Sequence, residues 1–107
     1  MDIQPKFEAD MTVRSFAYTA KQLARTHTSL APTVQYERIL AEAEKHRSAL
    51  RLVQRDVFEM LEQGLRMHTV TKAESDHIRQ TSAQMVTQAQ QAISRIAAQY
   101  APHRLAA

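Results

Sequence analysis

The sequence predicts an all-α protein in which a long antiparallel helical hairpin and a shorter N-terminal helix form a three-helix bundle. Three observations support this prediction. The 107 residues include one glycine and three prolines, whereas sheets with tight hairpins usually need more glycine. Residues of high helix propensity dominate the chain. Apolar residues recur at steps of three, four and seven, which is typical of amphipathic helices. The length suits a single domain over residues 1–107.

The first helix is expected at about residues 10–28. Asp10 is a suitable N-cap, and Pro5 is an alternative start because proline suits a first helical turn. The apolar stripe of this helix is Val13, Phe16, Ala17, Ala20, Leu23, Ala24 and His27. Residues 11–28 contain no acid, and the opposite side carries Arg14, Lys21 and Arg25. A basic amphipathic helix of this kind packs on its own hairpin, docks into a partner or lies on an anionic membrane; the first is our prediction.

The second helix is expected at about residues 34–63, with Thr33 as its N-cap and Gly64 as the C′ residue that stops it. Two rows of residues repeat every seven positions along it. One row is Tyr36, Ala43, Leu50 and Val57, and the other is Ile39, His46, Val53 and Met60. Rows of this kind are typical of a coiled coil or bundle. Leu40, Phe58, Leu61 and Leu65 widen the apolar arc, which favours contact with more than one helix.

The third helix is expected at about residues 72–100. Thr71 and Glu74 fit a capping box at its start, and Pro102 follows its end. Residues 101–107 are expected to be a frayed tail. The main apolar stripe is Ile78, Ser82, Met85, Ala89, Ala92 and Ile96, with Val86, Ile93 and Tyr100 alongside. Ser82, Ala89 and Ala92 are small. Small residues bury little apolar surface, so we expect the hairpin to pack against a second copy or another protein, with a homodimer as the simplest form.

Composition restricts the function classes. The formal net charge is +3, with 14 basic and 11 acidic residues, which indicates a mixed surface rather than a basic tail. The absence of cysteine excludes disulfides, thiolate zinc sites and cysteine nucleophiles. The first residues show neither a signal peptide nor a membrane-spanning run. We therefore expect a cytoplasmic protein with little tendency to bind membranes.

Catalytic and metal chemistry have little support in the sequence. Glu74 and His77 have the spacing of half a carboxylate di-iron site, but no second Glu-x-x-His is present. His46 lies on the helix seam, which favours a hydrogen-bonded core or interface group over a metal ligand or a phosphotransfer histidine. No nucleophile elbow or phosphate-binding glycine loop occurs. We therefore expect no enzyme activity, no metal and no cofactor.

The remaining hypothesis is a regulatory protein–protein interaction module that sequesters or chaperones another protein, as an anti-activator or a secretion chaperone does. The predicted apolar contact residues are Val57, Phe58, Leu61, Leu65 and Met67, and the predicted polar rim is Arg47, Arg51 and Arg55.

Two alternatives stay open. One is a nucleic-acid-associated protein whose Arg stripe meets phosphates. Neighbouring acids at Glu44, Asp56 and Glu59, and the absence of interleaved aromatic residues, favour a solvated or partner-facing stripe instead. The other alternative is a structural subunit that assembles through the hairpin.

Overall fold

The computed structural model describes residues 4–26 and 29–102, with side chains from residue 8 onward in those ranges. Three α-helices make up most of this part of the chain: α1 (Gln4–Thr26), α2 (Pro32–Arg66) and α3 (Lys72–Ala98). No strand occurs within the described ranges. The predicted all-helical fold with a long hairpin and a shorter first helix is confirmed. The predicted coiled coil and homodimer stay predictions.

Parts of two predictions lie outside the described residues. They are the end of the first helix at Thr28 and the final residues of the tail, 103–107. Over the described residues, none of the three helices has a stretch that is both long and apolar enough to cross a bilayer.

The second and third helices run in opposite directions. Arg47 on α2 donates a hydrogen bond to the hydroxyl of Ser94 on α3. Further along α2, the centre of the Phe58 ring lies 4.8 Å from Cζ of Arg79 on α3. Residue numbers therefore rise along α2 as they fall along α3, which makes the hairpin antiparallel as predicted.

The main core lies at the end of the molecule where all three helices pack together, which we call the base. Its buried members are Ala9, Phe16, Ala20, Ile39, Ala43, Leu50, Val86, Ala89, Ile93 and Ala97. The ring of Phe16 is fully buried and lies 5.5 Å from the ring of His46. Nδ1 of His46 donates to the Glu42 carbonyl at 2.7 Å, and the Ser15 hydroxyl lies 3.3 Å from Nε2. The prediction that His46 is a hydrogen-bonded seam residue is confirmed.

The opposite end of the molecule, residues 57–82, is built by α2 and α3, and we call it the tip. Its buried residues all come from these two helices: Val57, Leu61, Gly64, Ser75 and Ser82. The 23 residues of α1 span about 35 Å, whereas the 35 residues of α2 span about 52 Å. The molecule measures 58 × 26 × 16 Å with a radius of gyration of 17.6 Å, against about 13 Å for a compact chain of this length.

The first two helices begin earlier than predicted. α1 starts at Gln4, six residues before Asp10, so that Pro5 lies in its first turn. α2 starts at Pro32, and its N-cap is Ala31, which has no side-chain cap. The prediction of Thr33 as N-cap is wrong because proline, with its fixed φ and no N–H to satisfy, already fits the first helical position.

The predicted stop at Gly64 is also wrong, because α2 continues to Arg66 with Gly64 buried inside it. The left-handed position that ends the helix is His68, with φ 59°. The Gly64 carbonyl accepts the N–H of Thr69 at 2.9 Å, and the Leu65 carbonyl accepts the N–H of His68 at 3.3 Å. This is a Schellman motif. Gly64 is needed because a Cβ there would collide with Cγ2 of Val70, where the loop turns back.

The capping box of α3 is confirmed. The Thr71 hydroxyl accepts the N–H of Glu74 at 3.1 Å, and the Glu74 carboxylate accepts the N–H of Thr71 at 2.8 Å. These hydrogen bonds, first the one from the Thr71 backbone, hold the pKa of Glu74 below its ordinary value. The helix ends at Ala98, two residues before the predicted end.

The buried row of α3 also differs from the predicted stripe. It consists of Ser75, Ser82, Val86, Ala89, Ile93 and Ala97. Met85 and Ile96, which belonged to the predicted stripe, are half-buried at its side.

Candidate protein-docking site

Two of the predicted contact residues lie inside the chain's own core. Val57 and Leu61 are buried in the tip between α2 and α3. They are not available to a partner while these helices stay packed. The sequence pattern placed them correctly on the apolar arc of α2, but the arc does not tell which of its members the third helix covers.

The other predicted apolar residues are on the surface to different degrees. Phe58 is half-buried, with the guanidinium of Arg79 over its ring, an arrangement that a cation–π attraction stabilises. Leu65 is half-buried as well, whereas Met67 is 62% exposed.

The predicted Arg rim is engaged within the chain. Arg47 donates to Ser94 at 2.7 Å, and Arg51 donates to Ser48 at 2.7 Å and to Glu44 at 3.1 Å. Arg55 lies 3.6 Å from the Asp56 carboxylate and 3.7 Å from that of Glu59. The charge of Arg51 and Arg55 is therefore balanced locally, as expected for a solvated face of a helix.

The predicted contact residues and the Arg rim do not form one surface. Residues of an α-helix follow each other at about 100°, so Met67 lies about 160° around α2 from Arg47. Arg47 is on the side that bonds to Ser94 of α3. Met67 lies about 60° around α2 from His46, which contacts Phe16 of α1, and is therefore nearer to the side that faces α1 in the base.

The α1-facing side of the hairpin continues beyond the base. Spaced seven residues apart on α2 after His46 are Val53, Met60 and Met67, and on α3 Ile78 precedes Met85 by the same step. Met85 lies with Ala9 and Val13 of α1 around a depression of about 390 Å³. Positions seven apart share one side of a helix. The two rows that face α1 in the base therefore run on into the tip.

We call the surface between these rows in the tip the tip groove, defined by Met60, Met67, Val70 and Ile78. Met60 is 51% exposed and Met67 62%, whereas Val70 and Ile78 are half-buried. A depression of about 280 Å³ lies at this end, lined by Thr69, Val70, Glu74, His77 and Ile78.

Met60 is the residue that the sequence interpretation placed differently. It belongs to the row of α2 residues that repeats every seven positions, and this row was expected to face the bundle core. A straight α-helix drifts about 20° per heptad relative to such a row, so Met60 lies about 40° around α2 from His46. The sequence could have indicated the exposure of Met60, because this row runs along a second helix that was predicted to be longer than the first.

Carboxylates border the tip groove. The positions of α2 on this side are Val53, Asp56, Met60, Gln63 and Met67, and those of α3 are Thr71, Glu74, Ile78, Thr81 and Met85. None of these described positions holds a lysine or arginine. Glu74 lines the depression at this end, and Asp56 lies 3.6 Å from the Arg55 guanidinium, which it shares with Glu59.

Glu74 and His77 line the same depression, but the Glu74 carboxylate already caps α3. Among the described residues, no three histidine, aspartate or glutamate side chains come together in an arrangement that would hold a metal ion.

The fold and this surface define the class: a three-helix bundle with an open apolar groove at one end. Comparison with known proteins found no matching family model, no matching curated protein and no matching solved structure.

Proposed function

We propose that the protein is an interaction module that binds another protein and thereby sequesters or chaperones it. The observation that carries this proposal is the exposure of Met60 and Met67 at the end of the α2 row whose earlier member His46 contacts Phe16 of α1. Contiguous apolar surface on one side of a helix pair is typical of protein-binding grooves. The regulatory role belongs to the proposal as well.

The test is a tagged pull-down from native lysate, with and without nuclease, read by mass spectrometry. We expect one stoichiometric protein partner that survives nuclease. A variant with Met60→Asp and Met67→Asp should lose this partner, because it places two charges on the contact surface. Both side chains are half exposed or more, so the fold should persist, as circular dichroism would verify.

The chain offers a matched control in Leu52. This residue also lies on α2 and is 49% exposed, but it is about 80° around the helix from Met60. Leu52→Asp should therefore retain the partner. Recovery of no protein would contradict the proposal, and recovery of only the protein itself would support the self-assembling alternative.

The nucleic-acid alternative makes a different prediction in the same experiment. Recovery that disappears after nuclease treatment would support it, as would binding that weakens steeply with salt. The hydrogen bonds and ion pairs of Arg47, Arg51 and Arg55 within the chain do not favour this alternative.

A further inference from the structure

We infer that the tip groove binds a basic amphipathic helix of a partner protein. This inference rests on the proposed function and adds the binding site and the chemistry of the bound segment. It is carried by the continuity of the groove with the α1 site, by its dimensions and by its charge.

The first support is that the same two helices already bind a helix of this kind. In the base, α1 places the fully buried Phe16 and Ala20 against α2 and α3. Its exposed positions include Arg14, Lys21 and Arg25. The rows that accept α1 continue into the tip with Met60 and Ile78, so a second helix of similar character fits the continuation.

The second support is the size and composition of the open surface. From Met60 to Met67 the groove side of α2 rises about 10 Å, which matches about two turns of a bound helix. Two of the lining side chains are methionines, which adapt to different apolar partners because they are unbranched and flexible.

The third support is charge complementarity. Glu74 lines the depression on the α3 side of the groove. On the α2 side, Asp56 and Glu59 share the single positive charge of Arg55, so one net negative charge remains there. The described positions that face the groove carry no lysine or arginine. A helix with an apolar stripe flanked by lysine or arginine would bring opposite charges to both sides. Acidic flanks would be repelled.

A second copy of this chain fits the groove less well. Tip-to-tip pairing would bring two sets of the Asp56 and Glu74 carboxylates into one interface. The α1 of a second copy is also committed, because its Phe16 is fully buried in its own base. The helix that occupies the groove therefore comes from a different protein.

The experiment uses the full chain labelled with ¹³C at the methionine methyl groups. The probe is a synthetic peptide with the sequence of residues 11–26, which contains the apolar stripe of α1 and three bases but no acid. We expect saturable shifts of the Met60 and Met67 methyl signals as peptide is added. The Met60→Asp, Met67→Asp variant should bind at least about tenfold more weakly, a difference of about 1.4 kcal/mol, and Leu52→Asp should bind as the wild type does.

A control peptide in which Arg14, Lys21 and Arg25 are replaced by glutamate should not bind. Binding that ignores this reversal would overturn the charge argument. Shifts at Met11 and Met85 without shifts at Met60 and Met67 would overturn the site, because they would show that the peptide competes with α1 in the base. Tip signals that change with protein concentration alone would assign the groove to a second copy.

The inference and the proposed function fail in different ways. A nuclease-resistant protein partner that is recovered equally by the wild type and by the Met60→Asp, Met67→Asp variant would refute the tip groove and leave the interaction module standing. A pull-down without any partner, with the peptide still bound at the tip, would refute the interaction module and leave the groove as a helix-binding surface.

Discussion

Replacing Gly64 by alanine tests the close contact at the hairpin loop. The residue is buried within α2, and a new Cβ would meet Cγ2 of Val70, with the Thr69 hydroxyl at 3.3 Å. Valine is stiff at χ1 and cannot easily turn away. The loop would have to move, although its Thr69 N–H is held by the Gly64 carbonyl.

The magnitude follows from two opposing terms. Alanine gains about 1 kcal/mol over glycine inside a helix, whereas an overpacked site costs about 1–3 kcal/mol. Because a stiff side chain and a hydrogen-bonded loop both resist the shift, we take the upper part of that range. Gly64→Ala should then lower the free energy of unfolding by about 1 kcal/mol or more, measured by urea denaturation followed by circular dichroism.

The Val70→Ala background provides the decisive control. Without Cγ2, the atoms that remain are Cβ of residue 70 at 3.4 Å, an ordinary contact, and the Thr69 hydroxyl at 3.3 Å, which needs to move by only a few tenths of an ångström. Gly64→Ala should therefore stabilise the Val70→Ala variant by up to about 1 kcal/mol, which reverses the sign of its effect in the wild type. If Gly64→Ala stabilises both proteins equally, the close approach of the loop to α2 is refuted.

Three further predictions concern single groups. Ala31→Ser should raise the free energy of unfolding by about 1 kcal/mol in urea titrations, because it adds the missing N-cap acceptor of α2; no gain would show that the chain there already satisfies these N–H groups. The pKa of Glu74 is lowered in the folded state, so its contribution is present above its ordinary unfolded value of about 4.3 and is lost as the pH falls through the folded value. The stability difference between the wild type and Glu74→Gln should thus narrow below about pH 4, and a difference independent of pH would contradict the capping role of the carboxylate. Ser82→Ala should stabilise by about 1 kcal/mol in thermal melts, because the buried hydroxyl has no hydrogen-bond partner among the described residues; a loss would indicate a bridging water.

The elements of the fold were largely predictable, because they depend on local patterns. The capping box at Thr71 and the apolar period of α2 involve residues within a few turns of each other, and both correctly indicated helices. The ends of α2 were harder to predict. Gly64 has the usual chemistry of a helix stop, but it serves a contact with Val70 that becomes visible only when the loop is folded back.

The candidate site was predicted less well, for a related reason. Leu61 is covered by α3, whereas the covering of Met60 depends on how α1 lies along the hairpin, and the helical period alone contains neither piece of information. Likewise, the Arg stripe was visible in the sequence, but the hydrogen bond from Arg47 to Ser94 joins residues 47 positions apart. Such pairings depend on the alignment of the two helices, which the side-chain pattern leaves open.

The unequal helix lengths have a consequence for backbone amide exchange. Separating the helices of the base disrupts the packing of three helices, whereas opening the tip disrupts only the packing of α2 against α3. The tip is thus a candidate for a cooperative unit that opens on its own, below the free energy of global unfolding. A bound helix would supply the third layer there, so occupancy would be recorded as slower deuterium uptake along residues 57–82.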